Sequence, residues 1–127
     1  MTDIPNLWPE GVRETTPMIT PNAIFKRQAS ALADRTDGVL QGTVTRRVHE
    51  DGDFVYSFKI TSTTLDYSYE LFLAWHKPIL LYPVTCSFQS RVTRCGNQEE
   101  LLEWLRGVFS SDETKRVIDS LLAQINE

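Results

Sequence analysis

Apolar and polar positions change their period twice along this chain. Between Pro21 and Gly38 the apolar residues recur at helical spacing, over about 39–93 they tend to alternate, and from 98 onward the helical spacing returns. The order predicts one helix, four or five strands and two further helices, an α+β domain.

The first helix is bounded by its own residues. Thr20 suits the cap, Pro21 the first helical position, and Gly38 a left-handed end. Ile24, Phe25, Ala29 and Leu32 then share a stripe, with Lys26, Arg27, Ser30 and Asp34 off it.

Strands are expected next. Residues 39–49 alternate loosely and 50–53 form a hairpin turn around Gly52. Phe54, Tyr56, Phe58 and Ile60 fall on one face of the second strand. After a turn at 62–66, Tyr67, Tyr69, Leu71, Leu73 and Trp75 are expected to share one face of the third, opposite Ser68, Glu70, Phe72, Ala74 and His76. Lys77-Pro78 turns the chain into a fourth strand over 79–88, where Pro83 marks an edge or a bulge. Gly42 suggests a bulge in the first strand. Residues 90–95 read equally as a fifth strand or as a connection. Short links between successive strands imply an antiparallel meander.

Two helices close the chain. Asn97 with Glu100 forms a capping box, and Leu101, Trp104, Leu105 and Val108 make a stripe. Ser110 with Glu113 starts the last helix, whose Val117, Ile118, Leu121, Leu122 and Ile125 repeat at helical spacing, and the short link favours a helical hairpin. The expected architecture is thus a four- or five-stranded antiparallel meander packed by an N-terminal helix and a C-terminal helical hairpin. Residues 20–127 form this single domain. Residues 1–19 are an irregular arm, and its Ile4, Leu7, Trp8 and Met18 suggest a strap anchored by Trp8. Strands two to four carry bulky residues on both faces, so helices and arm are expected to cover both sides of the sheet.

Composition narrows the function classes. A chain of 127 residues with 41% hydrophobic and 24% charged residues is ordinary single-domain material. A net charge of -4 argues against general nucleic-acid binding, which needs a basic footprint. Residues 98–127 hold seven acids and three bases, so the whole net charge lies there. Two cysteines and an N-terminus without a basic, apolar leader suggest neither a disulfide scaffold nor secretion. The longest apolar run, 79–84, is too short to span a bilayer. A cytoplasmic protein without membrane contact is expected.

Little chemistry is visible. His49 and His76 end the first and third strands and are expected at opposite edges of the sheet, partly exposed, with no metal-ligand spacing around them. Cys86 and Cys95 read as small hydrophobes. Glu50, Asp51 and Asp53 are turn residues, since the remaining ligands of a calcium loop are missing. No catalytic residue, metal or cofactor is assigned, and an enzyme is the least supported class.

Binding remains. The expected function is a small protein-binding module, of adaptor, chaperone or immunity type. It would act through sheet aromatics (Tyr67, Tyr69 and Trp75) or through the acidic hairpin with Glu99 and Glu103. Its partner is another protein or a second copy of itself. The alternative is a small-molecule, nucleotide or anion binder, with Arg46, Arg47, Arg91 and Arg94 converging on a cleft between sheet and helices. Helix–meander–helix–helix order resembles many small α+β domains, among them secretion chaperones, toxin-immunity proteins and adaptors. That is a likeness of architecture, and fold does not carry function with it.

Overall fold

Thr20 Oγ1 accepts a hydrogen bond from the Ala23 N–H at 3.1 Å, and Pro21 opens the first helix, α1 (Pro21–Arg35). The helix stops where Asp37 and Gly38 take positive φ, and the Gly38 N–H donates to the Ala33 carbonyl at 2.8 Å. The computed structural model describes residues 3–13 and 18–127.

Five strands follow: β1 (Gln41–Val48), β2 (Phe54–Ser62), β3 (Tyr67–His76), β4 (Val84–Phe88) and β5 (Arg91–Cys95). They form one antiparallel sheet in the order β1-β2-β3-β4-β5, so the 90–95 segment is a strand and the meander has five members. The fourth strand is shorter than the sequence suggests. Residues 77–83 are a loop, with Ile79 88% exposed, and pairing resumes only at Val84, after Pro83. The apolar run 79–84 does not pair through its length, because Pro83 cannot donate to a ladder.

The bulge lies elsewhere than at Gly42. Gly42 pairs in register with Ile60, and its missing Cβ serves the approach of α1. The register shifts instead between Phe58 and Lys59 of β2, opposite Leu71, the extra residue of β3. This overturns the expected face of β3. Tyr69 pairs with Ile60 and Tyr67 with Ser62, on the helix side, whereas Leu73 and Trp75 pair with Ser57 and Val55 on the other side. Leu71 and Phe72 are both buried.

Two helices complete the fold, α2 (Gln98–Phe109) and α3 (Asp112–Ile125). Asn97 Oδ1 accepts from the Glu100 N–H at 2.9 Å while Glu100 Oε1 accepts from the Gly96 N–H at 3.0 Å, the reciprocal box expected there. Ser111 caps α3, accepting from the Thr114 N–H at 3.2 Å; Ser110 instead closes α2, its hydroxyl donating to the Arg106 carbonyl.

The core lies on one side of the sheet. Phe25 of α1 meets Tyr56 and Phe72 with ring centroids 5.7 and 5.6 Å apart, and Trp104 and Phe109 of α2 meet Phe72 from the same side at 5.1 and 6.2 Å. Cys86 and Cys95 are buried there as free thiols. The expectation that both faces are covered is therefore not met by the helices, nor by the described part of the arm. That part is a single 3-10 turn at Glu10–Arg13 within otherwise irregular chain, and all its residues are exposed, Trp8 by 74%. The other arm residues, 1, 2 and 14–17, lie outside the described residues. Among the described residues no helix is long and apolar enough to cross a membrane.

Candidate functional site

Strand alternation decides what the face away from the helices carries. On β2 the even-numbered side chains enter the core, so Val55, Ser57, Lys59 and Thr61 point outward. The register then aligns Arg47 with Val55, Val55 with Trp75, Trp75 with Thr85, and Thr85 with Arg94. One row crosses all five strands: an arginine at each edge, a half-buried tryptophan at the centre.

The neighbouring row runs Thr45, Ser57, Leu73, Ser87 and Val92. Val55 is only 7% exposed between its cross-strand partners, and the Ser57 hydroxyl is shielded with no hydrogen-bond partner among the described residues. Farther along, hydroxyls bridge the strands, Thr43 to Thr61 at 3.1 Å and Thr61 to Ser68 at 3.0 Å. The strand residues of this face include three bases (Arg47, Lys59, Arg94) and one acid (Glu70), in a chain whose net charge is -4. Its sign is opposite to that of the molecule.

The four arginines singled out from the sequence do not meet. β1 and β5 are the two edges of the sheet, roughly 19 Å apart at a normal strand spacing. Each pair is also split between the faces. Arg46 is on the helix side, its guanidinium carbon 4.5 Å from the Phe54 ring centroid, while Arg47 is on the open side. Arg91 lines a helix-side groove with Glu103 and Trp104, while Arg94 ends the open row. Of the aromatic candidates, Trp75 alone is on the open face. Tyr67 and Tyr69 line a groove against Arg116 and Val117 of α3. Burial there raises the Tyr69 hydroxyl above its ordinary pKa, with the Glu113 carboxylate adding to the rise. Glu99 and Glu103 are exposed on α2, and Glu103 pairs with Arg106.

Both histidines are at the same end of the sheet, because β1 and β3 run in the same direction; Val48 pairs with Phe54, and Phe54 with His76. Only His49 is exposed, beside Asp51 at 3.2 Å. His76 is 4% exposed, and its Nδ1 lies 2.8 Å from the Lys77 carbonyl and 3.1 Å from that of Leu80. Facing two carbonyls, Nδ1 carries the proton, and Nε2 accepts from the Tyr56 hydroxyl at 3.3 Å. Nδ1 thus holds the 77–80 turn, while Nε2 is tied to β2 through Tyr56. Among the described residues no group of three or more His, Cys, Asp or Glu side chains is arranged to hold a metal.

No protein-family model, curated protein or solved structure matches this chain.

Proposed function

We propose that this protein is a binding module, of adaptor, chaperone or immunity type, that holds an acidic segment of a partner protein on its open sheet face. The row Arg47–Val55–Trp75–Thr85–Arg94 carries the reading. Central tryptophan with arginine around it is the composition of an interaction hot spot. The excess of bases on this face selects an acidic partner and repels a basic one. A single-stranded nucleic acid suits it less well, since such binders stack successive bases on several aromatics and the strand residues of this face offer Trp75 alone. Such a module would act in the reducing cytoplasm, in keeping with the buried free thiols of Cys86 and Cys95. A second copy, offering its acidic helices, is the self-association form of the same reading.

The test uses the tagged full chain and the variants Trp75→Ala and Arg47→Glu/Arg94→Glu as baits in native lysate, with light scattering of the pure protein. The expected result is an acidic protein, or the chain itself, held by wild type and lost by both variants, with hydrogen-exchange protection on β2 and β3. Each variant should weaken a purified partner about thirtyfold or more. Capture that survives both variants, or protection confined to the helices, defeats the reading.

A further inference from the structure

Beside its buried stripe of Ile24, Phe25 and Ala29, α1 carries a second one that shares the half-buried Leu32. Gln28, Ala31, Leu32 and Arg35 recur at three- and four-residue spacing and form one wall of a cavity of about 340 Å³. Phe58, Ile60 and Leu71 make the floor, and Phe109, Thr114 and Ile118 the opposite wall. The bulge supplies part of that floor by turning Leu71 toward the helices next to Phe72. The space exists because the helices sit over opposite edges of the sheet. α1 packs on β1 and α2 on β5, leaving a strip above β2 and β3 between them.

This volume falls in the range of small-molecule sites, and the wall is apolar except at a few positions, as such sites are. The Thr114 hydroxyl is already used, donating to the Val108 carbonyl at 2.7 Å. Arg35 is the only charged lining residue, no acid lines the cavity, and Arg35 belongs to none of the ion pairs among the described residues. Arg106, in the adjoining groove past Gln28 and Phe109, is by contrast paired with Glu103.

The geometry points to a binding site for a small amphipathic monocarboxylate, its apolar body on Phe58, Ile60 and Leu71 and its carboxylate on the Arg35 guanidinium. Arginine's planar fork matches a carboxylate, and one cation balances its single charge, whereas a phosphate monoester brings more charge than this wall answers. The site faces the helices and is independent of the docking surface on the opposite side of the sheet.

Titration calorimetry of the full chain with sodium decanoate, 3-phenylpropionate and neutral decanol tests this, with methyl NMR of Ile60 and Ile118 reporting where each binds. At least one acid should bind and shift both methyls. Arg35→Gln, a change at an exposed residue, should weaken that acid about tenfold or more and leave decanol unchanged. Leu32→Trp should fill the cleft and abolish binding; if it fails to fold, Arg35→Gln decides alone. Preference for decanoate assigns a fatty acid, and preference for 3-phenylpropionate an aromatic one. The proposal falls if neither acid binds at millimolar concentration, if Arg35→Gln binds as tightly as wild type, or if the shifted methyls lie elsewhere. Cross-links placing Leu7 or Trp8 in the cleft would overturn it too, because the arm would then be the occupant.

Discussion

Gly42 of β1 lies so close to Ala29 of α1 that a Cβ on Gly42 would come within 2.4 Å of the Ala29 Cα. The contact is between backbones, so no rotamer change relieves it. It seats α1 on the edge strand and leaves open the strip of sheet that floors the apolar cleft.

Gly42→Ala should therefore destabilise the fold by about 1–3 kcal/mol, the usual cost of overpacking. Because the nearest atom is the Ala29 Cα rather than its Cβ, adding Ala29→Gly should not restore the loss. Urea midpoints of the two single variants and the double variant measure this. Full rescue by Ala29→Gly would place the clash at the methyl group.

Gly107 presents the opposite case. It is exposed inside α2, and nothing lies within 4 Å of where its Cβ would be. Gly107→Ala should raise stability by about 0.5–1 kcal/mol through helix propensity, read as a higher urea midpoint at unchanged slope.

Phe72 and Trp75 are three residues apart on β3 yet serve opposite faces. Phe72→Ala removes a ring packed against Phe25, Phe58 and Trp104 and should cost about 3–5 kcal/mol. Trp75→Ala should cost clearly less, because the ring is half-buried on the open side. Equilibrium denaturation of both variants separates them; equal losses would mean that the open face is part of the core.

Buried thiols make stability depend on alkaline pH. Burial holds the Cys86 thiol well above its ordinary value of 9.0, and the neighbouring Cys95 adds to the rise. Cys95 is raised as well, again first by burial. Above about pH 9 the unfolded chain releases thiol protons that the folded chain keeps, so the folded state binds more protons and stability falls as pH rises. The contribution is intact below pH 9. Tyr56 and Tyr82, raised by burial from 10.0, extend the decline. Urea midpoints at pH 7.5 and 10 should show the drop, and Cys86→Ala should flatten it. Both thiols should resist alkylation until the protein is denatured.

Caps and periods were legible because they are local. Thr20, Asn97 and Glu100 act on their own helix ends, and the stripes of the three helices face the core as spaced. Burial of Cys86 and Cys95 followed from residue type. The candidate site was less legible. Trp75 was visible as an aromatic strand residue, but its grouping with Tyr67 and Tyr69 failed at one extra residue, Leu71. Arg47 and Arg94 were visible as charges, whereas their alignment with Trp75 exists only through four strand registers. Arg35 and Leu71 gave no sign of sharing a cavity.

The amino-acid order by itself determined the α+β class, the sequence of helix, antiparallel meander and two helices, the caps at Thr20 and Asn97 and the acidic C-terminal pair, since these depend on residues a few positions apart. Only the tertiary structure decided which sheet face is open, that the four arginines are split between two edges and two faces, and where the apolar cleft lies. Those outcomes rest on pairing register and on the seating of α1 through Gly42. A one-residue shift in register exchanges the faces of every side chain beyond it, and hydrophobic periodicity within a single strand cannot report where that shift occurs.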